Sequence, residues 1–498
     1  MRKNGILMPI FSLPSRYGIG TVGKEAYRFV DFLEAAGQSC WQILPIGPTS
    51  FGDSPYQSFS TYAGNPYFID LEELISAGLI TAAEADAADF GSDPFSIDYG
   101  LLYQNRLPLL ETAFSRFSES DEYREFCRRN AYWLDDYALF MALKDREGGR
   151  SWTEWPQPLK TRDDAALAAA REELSYRINF YKFLQFTFSV QWHSLKSYAN
   201  KKGIEIIGDI PIYVALDSAD VWANTDCFQL DSSLTPKAVA GCPPDAFSED
   251  GQLWGNPLYD WAKMKKNGYE WWCRRMAYAL SVYDTVRIDH FRGLESYYSI
   301  PYGDATAKNG VWKKGPGMSL FTALKLKLGS RLPLIAEDLG YLTDAVLKLL
   351  DRSGFPGMKV LQFAFDSREE SDYLPHNYPR NCVVYTGTHD NDTIRGWTHS
   401  ANKSDVKTAY RYLGIPEGES LVWPLMRAAM SSVADTCILM MPDLVDLGSE
   451  GRINTPATSE GNWLWRIDGG CINDWLAKII YDHTALYGRL NKAKKAEE

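Results

Sequence analysis

Several stretches of this chain set charged side chains where an apolar strand runs out. In TVRIDHFRG (285–293), Val286 and Ile288 alternate with Arg287 and Asp289, and His290 and Arg292 follow at once. Asp209 falls within IEIIGDIPI (204–212), Glu337 and Asp338 end PLIAED (333–338), and His389 and Asp390 come just after CVVYTG (382–387). Unpaired charge is costly to bury, so these groups need partners or a function. Residues i and i+2 of a strand share a face, which aims Arg287 and Asp289 the same way. A helix cap or loop salt bridge explains most single acids after strands; several acids converging at strand ends suggest chemistry. Two carboxyl groups flanking one bond suit glycoside chemistry, one ionised to attack the anomeric carbon and one protonated for the leaving oxygen. Arg287 favours the ionised form of Asp289 by opposite charge. The apolar PLIA before Glu337, and the like charges around it, favour its protonated form.

The elements that must position these groups follow from apolar runs bounded by Gly and Pro. Strands are predicted at 5–11, 40–46, 204–212, 285–289, 333–338, 358–365, 382–387 and 436–442. Most precede a helical pattern. KEAYRFVDFLEAAG ends at Gly37, and LTDAVLKLLDRSG has Thr343 as its N-cap and Gly354 as its C-cap. Continuous apolar strands are those of a buried parallel sheet. Eight of them with intervening helices predict an α/β fold, a (β/α)8 TIM barrel, whose enzymes keep their chemistry at the C-terminal mouth. The long gap between residues 46 and 204 implies a large insertion after strand 2, and a second follows strand 3. The division expected is a single catalytic barrel over 1–498. It carries a mainly helical subdomain at 50–175, a loop-rich insertion at 224–261 and a smaller insertion at 295–330. Too little chain follows strand 8 for a C-terminal β-sandwich domain.

Composition narrows the partners. The 498 residues carry a net charge of −12 without a basic stripe, which argues against nucleic acid or an anionic membrane. No apolar run is long enough to span a bilayer. The N-terminal stretch, broken by Pro9 and Pro14, lacks the apolar run of a signal peptide. The eight cysteines include no CxxC pair, and a reduced, cytoplasmic protein is expected. Aromatic residues reach 14%, with 16 Trp and 29 Tyr; their flat faces suit a large core and also the CH-rich face of sugars. GIGTVG (18–23) matches a dinucleotide fingerprint literally, but SLPSRY separates it from the first strand and no acid ends the second. No cofactor is therefore expected. THDND (388–392) could hold a metal, since His is a common ligand, but a sugar-binding role requires none.

TVRIDHFRG, LIAEDLG and TGTHDNDT, in this order, resemble the signature segments of the 4-α-glucanotransferases, the amylomaltase or disproportionating enzymes of glycoside hydrolase family 77. So do GDSPYQSFSTYAGNPY (52–67), GDIPIYVALDSADVWA (208–223), PPDAFSEDGQLWGNPLYDW (243–261) and RINTPAT (452–458). The resemblance implies Asp289 as nucleophile, Glu337 as general acid/base and Asp390 as the carboxylate that holds sugar hydroxyls. It further implies substrate contacts from Arg287, His389, Asp209, Tyr56, Ser54, Asp245, Phe247, Gln252, Trp254 and Asn454. The expected partners are an α-1,4-glucan donor and a glucose or maltooligosaccharide acceptor, with the chain a monomer or weak homo-oligomer. Ala457 stands where Gly or Ser would fit the pattern as readily. The short form, without a preceding domain, is the one resembled. Transfer requires that a sugar hydroxyl outcompete water, so PPDAFSEDGQLWGN is expected to act as a lid. An α-amylase-type hydrolase on the same barrel and a glucan-binding protein without catalysis are the rival readings. The DIPIYVA segment, lacking the Asn-His pair of amylases, weighs against the first. The intact acid trio weighs against the second.

Overall fold

A computed structural model describes residues 2–50, 52–244, 248–340, 342–368, 370–458 and 460–491. Its eight parallel strands are β1 (Lys3–Leu7), β2 (Cys40–Gln42), β3 (Glu205–Pro211), β4 (Thr285–Asp289), β5 (Leu334–Ala336), β6 (Gly357–Val360), β7 (Cys382–Tyr385) and β8 (Thr436–Met440). Their order is β6-β7-β8-β1-β2-β3-β4-β5. The Ala336 N–H donates to the Pro356 carbonyl at 2.9 Å, which joins β5 to β6 and closes the ring. This is the (β/α)8 barrel expected from eight apolar runs.

Both faces of these strands are covered, so Ile6, Leu7, Ile206, Val286, Ile288, Val383, Val384, Ile438 and Leu439 are all buried. The strands are shorter than the apolar runs. The chain turns into 3-10 geometry at Ile10–Ser12 after β1 and at Leu361–Phe363 after β6. The helix after β1 spans Lys24–Ala35, with Gly37 beyond it at φ 68°, a left-handed turn that glycine adopts without steric cost. Gly354 ends the Asp344–Ser353 helix likewise, at φ 75°. Thr343 occupies its N-cap position, but the side chain makes no capping bond.

Between β2 and β3 the long helices are Tyr99–Arg116, Asp121–Arg146 and Ser175–Lys201, the last packing against β3 and against the Asp121–Arg146 helix. The stretch 224–261, read from sequence as loop-rich, contains two strands, Ala238–Cys242 and Gln252–Pro257. They join Ser296–Pro301 and Val311–Lys314, which follow β4, in one antiparallel sheet. Two loops from neighbouring barrel strands thus build a small second layer over the mouth. Arg292, just past β4, lies over the Trp312 ring at 3.9 Å from its centroid and ties this layer to the barrel.

Candidate active site

The register of β3 and β4 sets Asp209 opposite Arg287. Arg287 is almost fully buried, and its Nη2 donates to Asp209 Oδ2 at 2.8 Å and to Asp289 Oδ1 at 2.9 Å. One guanidinium therefore bridges two strand-end carboxylates. The Tyr56 hydroxyl donates to Asp209 Oδ2 at 2.7 Å. With its proton committed there, its oxygen accepts from His389 Nε2 at 2.9 Å. The two rings stack at 5.3 Å, and Trp463 lies beside both. Burial lowers the pKa of His389, so a neutral imidazole is what packs on Tyr56. Ser54 shapes this turn: its hydroxyl accepts from the Tyr56 N–H at 3.3 Å.

Asp289 is pushed up to about 6 by burial, with Asp209 and Asp390 adding to the rise and Arg287 opposing it. The sign expected for Arg287 holds, but desolvation outweighs it. A carboxyl at about 6 is still mainly ionised at neutral pH, and 31% of the Asp289 side chain stays exposed. Glu337 is pushed up to about 8, by burial first and by the Asp289 charge second. Its Oε2 accepts the His290 N–H at 2.7 Å and its Oε1 the Leu339 N–H at 2.9 Å. The first bond depends on a left-handed residue, His290 at φ 56°, a conformation in which His is enriched among non-glycine residues. That turn reverses the chain after Asp289 and lets β4 hold the carboxyl of the neighbouring strand.

Asp338 behaves differently from its neighbour. It is buried, and its Oδ1 accepts the Met358 N–H at 2.6 Å, so it seals β5 to β6 instead of facing the mouth with Glu337.

Asp390 is reached from the far side. Asn454 Nδ2 donates to its Oδ1 at 2.6 Å, and the Asn454 N–H donates to the His389 carbonyl at 3.1 Å. Arg452 Nη2 donates to the Asp390 carbonyl at 2.9 Å, and its Nε to that of Asn454 at 2.8 Å. Arg452 and Trp463 were not singled out from sequence. Arg452 opens the RINTPAT segment, whereas only the aromatic excess pointed to Trp463. Ala457 in that segment adopts φ 63°, which explains why glycine would serve as readily there.

Trp254 packs edge-on against the His290 ring at 4.8 Å, and its Nε1 donates to Gln252 Oε1 at 3.0 Å. Asp245 and Phe247, with Ala246 of the expected lid, lie outside the described residues. In the described part of that segment Gln252 pairs with Cys242 of the preceding strand, and the Ser248 hydroxyl donates to the Gly251 carbonyl at 2.8 Å. GIGTVG serves packing: a Cβ on Gly20 would meet the Ile10 carbonyl oxygen at 1.9 Å, and one on Gly23 would meet the Asp70 carboxylate. Among the described residues no three His, Cys, Asp or Glu side chains gather as metal ligands would. No helix there is long and apolar enough to cross a membrane.

A closed (β/α)8 barrel with its acids gathered at the strand C-termini is the architecture of enzymes that work at the barrel mouth. The chain belongs to the 4-alpha-glucanotransferase family, enzymes that transfer glucan segments, and the family model matches residues 8–472. A 4-alpha-glucanotransferase of Clostridium butyricum is 50% identical over 97% of this chain and 100% of its own length. One of Thermus thermophilus is 49% identical over 94% and 95%. The solved amylomaltase of Streptococcus agalactiae in complex with acarbose superposes with a TM-score of 0.96 at 42% identity, over 98% of this chain and all of that one.

Proposed function

We propose that the chain moves α-1,4-glucan segments from a donor to glucose or a maltooligosaccharide by two displacements at Asp289 and Glu337, with retention at the anomeric carbon. The observation that carries this reading is that two carboxyl groups at adjacent strand ends are held differently: Asp289 accepts the Arg287 guanidinium at 2.9 Å, which favours its ionised form, while Glu337 is held by the His290 and Leu339 N–H groups and burial, with the Asp289 charge, favours its protonated form. In the first step an Asp289 oxygen attacks the anomeric carbon. The bond to the leaving sugar oxygen breaks, and that oxygen takes the Glu337 proton. In the second step Glu337, now ionised, accepts the proton of an acceptor hydroxyl, whose oxygen displaces Asp289 from the same carbon. A retaining pair of this kind works with its carboxyl groups about 5–5.5 Å apart.

Asp390, steadied by Asn454 and Arg452, is assigned to sugar hydroxyls, and Arg287, Asp209, Tyr56 and His389 to the floor beneath the reacting ring. Ser54, Gln252 and Trp254 are assigned to the walls of the glucan path, with Asp245 and Phe247 the family counterparts on the same path. Trp254 and its sheet support water exclusion over the intermediate. All eight cysteines are free, which supports a reducing, cytoplasmic setting. Incubation with maltotriose tests the activity. A ladder of longer oligosaccharides with glucose is expected. Glucose and maltose alone would mean a hydrolase, and unchanged maltotriose a binding protein.

A further inference from the structure

The loop that carries His389 and Asp390 runs from Thr386 to Ile394, and a single buried carboxylate clasps both of its ends. Asp443, in the short helical turn Met441–Leu444 that follows β8, is 1% exposed. Its Oδ2 accepts the Thr386 hydroxyl at 2.9 Å, at the exit of β7. Its Oδ1 accepts the Ile394 N–H at 2.7 Å, the first residue of the Ile394–Ser400 helix. A second brace runs outside it: Gln362 Nε2 donates to the Asp392 carbonyl at 2.7 Å, and the Gln362 N–H to that of Thr386 at 3.2 Å. Within the loop, Asn391 Oδ1 accepts both the N–H and the hydroxyl of Thr388. His389 and Asp390 are thus the apex of a strap whose feet Asp443 and Gln362 hold and whose tip Asn454 and Arg452 meet.

We infer that Asp443 is a positioning residue, one that sets the reach of Asp390 and His389 toward the sugar by clasping Thr386 and Ile394 together. It touches no substrate itself. The inference rests on the role proposed for Asp390. Misplacing a group by about 1 Å can lower a rate by about two orders of magnitude, whereas losing a buried bond costs stability alone if nothing functional hangs on it.

Asp443→Ala removes the bonds to both feet and leaves the strap to the Gln362 brace. Its folded fraction, verified by circular dichroism, is expected to lose about tenfold or more of kcat with a smaller change in KM. Asp443→Asn can still accept from Ile394 and can donate to Thr386, so it is expected to restore most of that loss. Thr386→Val removes one foot without leaving a cavity, and should lower kcat by roughly threefold or more. Combined with Asp443→Ala it should add nothing, because both act through one bond. Wild-type kcat in folded Asp443→Ala overturns the inference, as do independent, multiplying losses in the double variant. If Asp443→Ala does not fold, Thr386→Val decides alone: wild-type kcat overturns it. Asp390→Asn separates the two levels. A dead Asp390→Asn beside a fully active Asp443→Ala rejects the clasp only, while an active Asp390→Asn rejects the role on which the clasp depends.

Discussion

The proposed mechanism needs Asp289 ionised and Glu337 protonated at the same time, and their surroundings set the pH range in which both hold. Activity requires Asp289 to lose its proton, which happens as pH rises through about 6. It also requires Glu337 to keep its proton, which is lost as pH rises through about 8. A bell-shaped profile of kcat/KM on maltotriose is expected, rising on the acid side and falling on the alkaline side of roughly neutral pH. Arg287→Met removes the charge that opposes the rise of Asp289. The acid limb should therefore move to higher pH, the alkaline limb should follow because Arg287 also lowers the pKa of Glu337, and kcat should fall by about 100-fold or more; an unmoved acid limb would show that Arg287 does not set the charge of Asp289. Asp289→Asn and Glu337→Gln should each abolish turnover, and near wild-type transfer by either would remove it from the mechanism. At this scale the acids were readable because charge at the end of an apolar run is anomalous. Their separate destinations were not. Glu337 and Asp338 are adjacent and both acidic, yet Glu337 turns toward the end of β4, where it accepts the His290 N–H, and Asp338 toward β6, where it accepts that of Met358. That choice depends on where β6 lies, which no local pattern records.

Among elements, the eight barrel strands were legible because strands buried on both faces must be apolar throughout. The second sheet was not. Its edge strand Val311–Lys314 is exposed at every position, so it carries no alternation to read. Its pairing of Ala238 with Pro301 joins segments far apart in sequence. The end of β8 was hidden for a related reason: TCILMMP reads as one strand, but the strand stops at Met440 and the next turn holds Asp443. The second sheet places Trp254 against His290, beside the residue that ends β4. Trp254→Ala should open the mouth to water and raise hydrolysis relative to transfer severalfold. The measurement is free glucose released from maltotriose against the yield of longer products; an unchanged ratio would mean that this sheet does not exclude water.

The whole molecule depends on its two chain ends meeting. β1 pairs with β8 from Lys3 opposite Thr436 to Leu7 opposite Met440. Arg489, fully buried, donates to the carbonyls of Met430, Lys3, Ser432 and Ala434. Arg489→Ala would remove four bonds, with Arg2 Nη2 left as a donor to the Met430 and Ser432 carbonyls only, and should lower unfolding stability by about 3 kcal/mol, read as a lower urea midpoint. The kcat of the protein that remains folded should be unchanged; a wild-type midpoint would show that the junction is not held there. Glu337 tests stability from the other direction. Its folded pKa lies above the unfolded value, so ionising it weakens the fold increasingly as pH rises from about 4.5 to about 8. Glu337→Gln should therefore melt progressively higher than wild type across that window and equally below it. The β1–β8 seam also has a consequence for synthesis. A ribosome adding about 5–20 residues per second delivers β8 roughly 20 to 90 s after β1. Until then the first strand emerges with one edge unclaimed, the kind of edge that recruits neighbouring chains. The burden of keeping this protein from aggregating therefore falls on its first few residues, during the time before the last strand arrives.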